Sequence, residues 1–282
     1  MLNQKVLMSG AEYFANQAHI NPYYRVESID VDKAVREHNL IRQAFEQAGI
    51  EVVKVDPPST SQDGVYTANW ALVRGGKAVM SRLPDARKSE EAYARNILQR
   101  LGFETITVPE NWHFSGQGDS LPCGRFLLAG SGYRSDPRAQ AFAAEQLGLE
   151  LVQLHALPKL DNAGRPVVNS VSGWPDSFFY DLDLAVSVLR EDLIAYCPEA
   201  LDAESRAKIE ALPLEKIPVS HIEAAEGLAC NLVSTGKTVI MSARAPHLRA
   251  EIAKRGLKTL TPAVSELAKG GGYIRCVSLT LD

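Results

Sequence analysis

The stretch Leu147-Gly148-Leu149-Glu150-Leu151-Val152 is the clearest copy of a pattern that recurs along the 282 residues of the chain. An apolar residue followed by glycine is typical of the end of an amphipathic helix, and the short β-prone run after it is typical of a strand. Such a repeat, spaced by tens of residues, indicates a fold built from one supersecondary unit. The other copies, one of them degenerate, are Ala48-Gly49-Ile50-Glu51-Val52-Val53, Leu101-Gly102-Phe103-Glu104-Thr105-Ile106, Leu212-Pro213-Leu214-Glu215-Lys216-Ile217 and Arg255-Gly256-Leu257-Lys258-Thr259-Leu260.

The repeating unit is predicted to be strand, strand, helix, strand. Amphipathic helices precede the junctions, for example over residues 90–101 and 246–255. Pairs of β-prone runs precede those helices, with glycines at the predicted turns between them. Two such pairs are 64–73 with 77–80 and 228–233 with 238–241.

The fifth unit is split between the two ends of the chain. A C-terminal strand pair over 273–281 must be completed by a strand at residues 5–8 and a helix over 31–47. This arrangement favours a ring of five units that its own ends close. An open α/β sheet, which also alternates strands with helices, remains the alternative.

The composition is that of an ordinary globular protein, with 45% hydrophobic residues. No linker of useful length separates the repeats, so residues 1–282 are predicted to form one domain. A long loop is inserted in one unit at about residues 158–177. Loops of this length often act as lids over a site, but a tolerated surface insertion explains this one equally well.

The net charge of the chain and the lack of long apolar segments favour a small-molecule partner. A net charge of −4 lacks the basic face that nucleic-acid binding needs. The N-terminal segment lacks a signal-peptide core, and no run of eighteen apolar residues occurs, so neither a membrane partner nor export is expected. We therefore expect a cytoplasmic protein. A homodimer is one open option for its oligomeric state.

Four cysteines, at positions 123, 197, 230 and 276, show no CxxC spacing, so no metal site, disulfide framework or cofactor is predicted. Cys276 follows a glycine triplet, Gly270-Gly271-Gly272, and comes directly after Arg275. Three glycines allow the backbone to approach a ligand closely, and an adjacent cation can lower a thiol pKa. From the residues alone, a nucleophile and a buried structural thiol are equally acceptable interpretations of Cys276.

The segment Lys269-Gly-Gly-Gly-Tyr-Ile-Arg-Cys276 resembles the nucleophile motif of the guanidino-group modifying superfamily, which includes dimethylarginine dimethylaminohydrolases, arginine deiminases and amidinotransferases. Further motifs resemble this superfamily in the same order along nearly the whole chain. These motifs are Gln62-Asp63-Gly-Val-Tyr-Thr-Ala-Asn69, Phe114-Ser-Gly-Gln-Gly-Asp119, Gly132-Tyr-Arg134-Ser-Asp136 and Phe179-Tyr-Asp181-Leu-Asp183-Leu-Ala.

The resemblance implies a five-bladed α/β propeller of ββαβ units closed by the N- and C-termini. It also implies a cysteine-dependent hydrolase that cleaves a C–N bond of an arginine-like guanidino or ureido small molecule through a covalent intermediate. Cys276 takes the role of nucleophile and Asp181 stands at the acid/base position. The resemblance implies a guanidinium-side contact for Asp183, a carboxylate contact for Arg134 and a further contact for Asp63. The other residues predicted to bind substrate are Asn69, Gln117 and Asp119.

The chain departs from the superfamily pattern at three positions. Asp181 replaces the usual catalytic histidine, Ser115 replaces a glutamate, and Asn69 replaces an acidic residue. Asp181 can still act as a base if burial beside Asp183 raises its pKa. The loss of negative charge suggests a ureido, amide or modified-guanidine substrate, with Asn69 and Gln117 donating hydrogen bonds to it.

Two alternative functions remain open at this point. One is an amidinotransferase, in which an amine resolves the covalent intermediate. The other is a catalytically inactive relative that binds a ligand or protein. His113 and His155 are considered as replacement bases but are interpreted as ordinary loop histidines, and Arg87 as part of a solvated helix start.

Overall fold

The computed structural model describes residues 2–24 and 28–282, which form a mixed α/β fold with five three-stranded sheets. The helices of the described residues are α1 (Val31–Gln47), α2 (Ser89–Arg100), α3 (Pro137–Leu147), α4 (Ala203–Ala211), α5 (His221–Ala225) and α6 (Pro246–Lys254). The strands are β1 (Lys5–Met8), β2 (Glu51–Lys54), β3 (Ala71–Arg74), β4 (Lys77–Met80), β5 (Glu104–Thr107), β6 (Ser120–Cys123), β7 (Phe126–Ser131), β8 (Glu150–His155), β9 (Val186–Arg190), β10 (Leu193–Tyr196), β11 (Glu215–Pro218), β12 (Val233–Ser234), β13 (Thr238–Ile240), β14 (Lys258–Leu260) and β15 (Leu279–Thr280).

The predicted order of strand, strand, helix, strand is confirmed in every sheet. The first strand of a unit runs antiparallel to the second, and the second runs parallel to the third, as in β6-β7-β8. A helix connects the second strand to the third because two parallel neighbours need a crossover connection. In this unit the connection is α3, whose Ala139 and Ala143 are fully buried beside the sheet.

The predicted fifth unit, made from both ends of the chain, is also confirmed. In its sheet β15 pairs antiparallel with β1, with Leu279 opposite Leu7, and β1 pairs parallel with β2. Both leucines are fully buried. Helix α1 makes the crossover, so this unit has the same topology as the four units that are continuous in sequence.

Glycine ends the helix at the junction that defines the repeat. Gly148 follows α3 with φ +65°, and its backbone N–H donates to the carbonyl oxygens of Ala144 and Glu145. A residue other than glycine is strained in this left-handed conformation. Gly49, Gly102 and Gly256 occupy the corresponding junctions and also have positive φ angles.

The first strands of the units are shorter than the sequence predicts. Residues 67–70, predicted as strand, form a 3-10 turn, and β3 begins only at Ala71. The predicted strand 228–233 is reduced to β12, and the predicted pair 273–281 is reduced to β15. The residues lost from the strands form turns that bond to neighbouring units, as when Ala68 N–H donates to the Cys276 carbonyl oxygen, at 3.1 Å.

These turns give the fold a consistent place for polar side chains. The 3-10 turns Thr67–Trp70, Gly116–Gly118 and Leu182–Leu184 each lie directly before the first strand of a unit. Asn231 and Cys276 lie at the corresponding places before β12 and β15. All of these turns are buried in the interior, so their polar side chains must find partners there.

Residues 158–177 contain no regular helix or strand, only the isolated bridges Leu160 to Pro166 and Val168 to Pro175. The Asn169 side-chain amide donates to the His19 carbonyl oxygen, at 3.1 Å, so this loop contacts the N-terminal segment. Among the residues that the structure describes, no helix has the length and apolarity needed to cross a membrane.

Candidate active site

The glycine triplet before Cys276 is required by close packing inside the protein. A Cβ atom on Gly272 would lie 2.2 Å from the Tyr66 ring, and one on Gly270 would lie 2.3 Å from the Tyr66 hydroxyl. That hydroxyl donates to the Leu267 carbonyl oxygen, at 2.7 Å. The space that the sequence analysis assigned to a ligand is thus partly occupied by Tyr66, which fixes the backbone on the approach to the cysteine.

Cys276 is buried, with 3% of its surface exposed, and two side chains contact its sulfur. Asn231 Nδ2 donates to Sγ at 3.0 Å, and Asp183 Oδ2 lies 3.4 Å from Sγ. Asn231 Oδ1 also accepts from the backbone N–H groups of Arg275 and Cys276. Asn231 therefore holds both the backbone and the thiol of Cys276 in position, a role that the sequence analysis missed.

The Cys276 thiol is protonated in this environment. Burial raises its pKa well above the usual value, and the negative charges of Asp183 and Asp181 raise it further. Arg275 does not offset them, because its guanidinium points to Gln117 Oε1, at 2.6 Å, and to Thr280 Oγ1, at 2.8 Å. The adjacent cation expected to activate the thiol is directed away from it.

Asp181 forms a hydrogen-bonded cluster with the two other departures from the superfamily pattern. Its Oδ1 accepts from Ser115 Oγ at 2.9 Å, and its Oδ2 accepts from Asn69 Nδ2 at 2.8 Å. Burial raises the pKa of Asp181. Gly118 makes room for this cluster, since a Cβ atom there would lie 2.6 Å from Asp181 Oδ2.

Three buried carboxyl groups lie near one another in this region. Burial raises the pKa of Asp119 and of Asp183 well above the ordinary value, and the charge of Asp181 raises both further. Asp119 Oδ1 accepts from the backbone N–H of Leu182 at 3.0 Å and so positions the turn between Asp181 and Asp183. Like charges that are buried together cannot all stay ionised, so this cluster holds protons.

Arg87 is buried, which corrects the expectation of a solvated helix start. Its guanidinium pairs with Glu90, at 2.7 Å between Nη2 and Oε2, and donates to Asn69 Oδ1 at 2.8 Å. Glu90 is fully buried and also accepts from Trp70 Nε1. Arg87 therefore orients the Asn69 amide so that its NH₂ group faces Asp181.

Asp63 and Arg134 provide the remaining charged groups of the site. Tyr24 donates its hydroxyl to Asp63 Oδ1, and burial raises the pKa of Asp63 to about 6. The Arg134 guanidinium lies 5.0 Å from the centre of the Tyr180 ring, and it donates to the Ile20 carbonyl oxygen. Its Nη1 is buried and has no hydrogen-bond partner within the described part of the chain.

These groups surround a narrow pocket of about 20 Å³, close to the size of one water molecule. The predicted site residues that line it are Asp63, Asn69, Arg134, Asp181 and Cys276. Asp183 contacts the thiol without lining the pocket. Gln117 and Asp119 lie outside it, because Gln117 bonds to Arg275 and Thr280 and Asp119 supports a backbone turn.

No histidine is among the residues that line this pocket in the described ranges. His113 stacks on Trp174 and His155 stacks on Tyr133, as expected of loop histidines. His19 stacks on Tyr24. The carboxyl in contact with the Cys276 thiol is that of Asp183, and Asp181 is a second carboxyl that lines the same pocket.

The fold and this pocket define the class of protein, a C–N hydrolase of the guanidino-group modifying superfamily, and the predicted membership of that superfamily is confirmed. The family model described as "N,N dimethylarginine dimethylhydrolase, eukaryotic" matches residues 11–281. The chain belongs to this family.

Similar proteins of known name come from bacteria. The chain is 31% identical to N(G),N(G)-dimethylarginine dimethylaminohydrolase of Mycobacterium tuberculosis, over 99% of this chain and 86% of that protein. It is 30% identical to the bifunctional arginine dihydrolase/ornithine cyclodeaminase ArgZ of Synechocystis sp., over 98% of this chain but only 37% of that protein. A crystal structure of the N-terminal domain of ArgZ, an Asn-to-Ser variant covalently bound to a reaction intermediate, superposes with TM-score 0.88 at 28% identity, covering 99% of this chain and 97% of that one.

Proposed function

We propose that the protein hydrolyses a C–N bond of an arginine-like guanidino or ureido small molecule through a covalent intermediate on Cys276. The observation that carries this proposal is the contact of the Cys276 thiol with Asp183, at 3.4 Å, beside a pocket that Asp181 also lines. The names of the relatives, a dimethylarginine dimethylaminohydrolase and an arginine dihydrolase, support the substrate class. The covalent intermediate on the ArgZ domain supports the two-step chemistry.

In the first step, Cys276 Sγ forms a bond to the central carbon of the substrate head group, and the C–N bond to the departing amine breaks. Asp183, whose Oδ2 is in contact with Sγ, takes the thiol proton, and Asp181, which lines the pocket, delivers a proton to the amine. In the second step, Asp181 takes a proton from water while the water oxygen bonds to the same carbon. The C–S bond then breaks, the proton on Asp183 returns to the sulfur, and the second proton of the water is released as the new C=O bond forms.

Substrate charge activates the site. In the ligand-free protein, burial and neighbouring carboxylates keep the Cys276 thiol protonated. A guanidinium bound beside Asp181 and Asp183 adds a positive charge, which lowers the pKa of both carboxyls and of the thiol. Binding of a cationic head group thus supplies the electrostatic role that Arg275 does not fill.

The hydrogen bonds within the site show which side chains are free to bind a substrate and which are already occupied. Asn69 uses its NH₂ group on Ser115 and Asp181 and its oxygen on Arg87, so it holds the carboxyl cluster rather than the substrate. Gln117 is likewise occupied by Arg275 and Thr280. The groups left for substrate are carboxyls and the Nη1 of Arg134, which suit a basic head group and a carboxylate at opposite ends of an amino acid.

The strongest competing function is a relative that binds such a molecule without turning it over. Asp181 stands where the superfamily has histidine, and both of its oxygens are already hydrogen-bonded to Ser115 and Asn69. A carboxylate also disfavours the thiolate, whereas an imidazolium favours it. These observations favour a binding protein if turnover cannot be detected.

We further propose that the five sheets close into a five-bladed propeller and that residues 1–282 form one domain. A single cavity of about 260 Å³ touches the first-strand region of every unit, which is the arrangement expected around a central axis. Its lining includes Arg74 of β3, Leu121 of β6, Ser187 of β9, Leu232 next to β12 and Thr280 of β15. We call this space the axial cavity.

The experiment that tests the proposed activity measures release of ammonia or an alkylamine. The protein is incubated with L-arginine, N-methylated arginines, agmatine and citrulline. We expect release from at least one of them, loss of that release in Cys276→Ser, and retention in Cys230→Ser, which removes another buried thiol. Saturable binding of one of these compounds without any release would favour the binding protein.

A further inference from the structure

The axial cavity is separate from the Cys276 pocket, since the two have no lining residue in common. Asp183 lies between them: it lines the axial cavity, and its Oδ2 contacts Cys276 Sγ at 3.4 Å. A volume of about 260 Å³ is enough for a small organic molecule of a few carbon atoms. The proposed reaction assigns nothing to this space.

Two arginines line the axial cavity, and neither forms an ion pair within residues 2–24 and 28–282. Arg275 is 7% exposed, and its guanidinium donates only to the neutral acceptors Gln117 Oε1 and Thr280 Oγ1. Arg74 Nη2 donates to the Gly124 carbonyl oxygen at 3.1 Å. A guanidinium has five N–H donors, so both arginines keep donors for an anion.

Two of the three acidic side chains of the axial cavity lie at its exposed edge. Glu191 and Asp282 are solvent-exposed, and the Asp282 carboxylate accepts from the backbone N–H groups of Gln4 and Lys5. Asp183 is buried at the inner end, where burial raises its pKa and so favours the neutral form. Asp183 and Asp282 act on Arg275 electrostatically, but neither forms an ion pair with it, so its guanidinium is a buried cation whose hydrogen-bond acceptors are neutral.

The rest of the lining combines apolar walls with one unused hydroxyl. Valine and leucine side chains form the apolar part of the wall, among them Val73, Leu121 and Val186. Ser187 is 4% exposed, and its Oγ has no hydrogen-bond partner in the described structure. A buried polar atom without a partner requires an explanation, and a bound ligand supplies one.

We propose that the axial cavity binds a small aliphatic carboxylate, with the carboxylate at Arg275 and Arg74 and the hydrocarbon chain against the apolar wall. Ser187 provides a hydrogen bond near the anionic group. The positive charge of the two arginines favours an anion, and a guanidinium can donate two parallel hydrogen bonds to a carboxylate. The apolar wall selects an organic anion over a bare inorganic one, since burial of CH₂ groups adds to affinity.

The test is a calorimetric titration of the full chain with butyrate, with butyramide, n-butylamine and inorganic phosphate as comparison ligands at constant ionic strength. We expect saturable butyrate binding and none of the neutral amide or the amine. Arg74→Gln, which removes one cation, and Leu121→Trp, which fills the space, should each weaken binding roughly tenfold or more. Arg125→Gln changes an exposed arginine outside the cavity and should leave butyrate affinity unchanged.

Thermal unfolding verifies that each variant is folded, and Ser187→Ala replaces Leu121→Trp if the larger residue prevents folding. The proposal is overturned if butyrate and butyramide bind alike, if phosphate binds in preference to butyrate, or if butyrate affinity is the same in Arg74→Gln and Arg125→Gln. Because binding is read without turnover, these outcomes are independent of whether Cys276 is catalytic.

Discussion

At the scale of single residues, the central feature is that a carboxyl group takes the place of an imidazole. Asp181 is buried and accepts from Ser115 and Asn69, and both of these residues differ from the superfamily pattern. The three substitutions are thus structurally linked, because the serine hydroxyl and the asparagine amide are the donors that a buried carboxyl needs. The site is a coherent hydrogen-bonded arrangement.

Asp181→Asn tests the acid/base role of this carboxyl. The asparagine keeps an acceptor oxygen for the Asn69 amide but cannot take a proton, so we expect turnover to fall by about a hundredfold or more while substrate affinity persists. Steady-state kinetics and a binding titration measure the two effects separately. Ser120→Ala, which alters a buried hydroxyl outside the pocket, serves as the control, and unchanged turnover in Asp181→Asn would remove this residue from the mechanism.

Asp63 predicts a pH dependence of stability. Burial raises its pKa from 3.8 to about 6, so the folded protein binds this proton more tightly than the unfolded chain does. Its contribution is fully present below pH 3.8 and is lost as the pH rises through about 6, a change of about 3 kcal/mol. Chemical denaturation across this range should show wild type losing stability relative to Asp63→Asn. A pH-independent difference between the two would contradict the raised pKa.

The sequence identified the ionisable centre of the site but not its supports. Cys276, Asp181 and Asp183 stand in motifs that are compact in sequence, so each is visible locally. Asn231 and Arg87 act on residues 45 and 18 positions away. The available signals were weak: Asn231 is a polar residue within the apolar run 228–233, and Arg87 lies three residues before Glu90, which is fully buried.

At the scale of elements, the helix-to-strand junction depends on the backbone of its glycine. Gly148 adopts φ +65°, and no atom lies within 4 Å of the place where a Cβ would be added. A side chain at this position would therefore lower stability through backbone strain and not through a clash with neighbouring atoms. Gly148→Ala should lower the free energy of unfolding by about 1 kcal/mol.

Gly148→Asn is the matched control, since asparagine tolerates the left-handed region better than alanine. Urea denaturation of both variants should give a smaller loss for Asn than for Ala. Equal stability of Gly148→Ala and wild type would show that the junction does not require this conformation.

Helices and the second strands of the units were predicted closely, whereas first strands were not. The helix over 31–47 and the strand over 5–8 match the structure because an amphipathic period or a short β-prone run specifies them locally. Residues 67–70 have strand-like composition yet form a 3-10 turn, since tertiary contacts with Cys276 and Ser115 override local propensity. The overridden residues are those that build the site.

At the scale of the whole molecule, both ends of the chain meet in one sheet. Val6 pairs with Thr280, and Gln4 N–H donates to the Asp282 carboxylate at 3.0 Å. A circular permutant that joins the two ends through a short linker and opens the exposed turn at Gly164 should fold and unfold in one cooperative transition.

A chain that ends at residue 278 provides the comparison, because it lacks β15 and the fully buried Leu279. We expect it to unfold at a much lower temperature than the permutant in a thermal denaturation experiment, since it removes a strand from the fifth unit and leaves a cavity. A truncated chain as stable as wild type would contradict closure of the fold by its two ends.

The central claim is that Cys276 is a nucleophile in a site whose base is a carboxyl. Intact-protein mass spectrometry after incubation with a chloroacetamidine-type probe and with the arginine-related substrates tests it most directly, with peptide mapping of any adduct. We predict one adduct per chain, located on Cys276, absent in Cys276→Ser and retained in Cys230→Ser. An unmodified protein, or equal modification of Cys123, Cys197, Cys230 and Cys276, would contradict the claim.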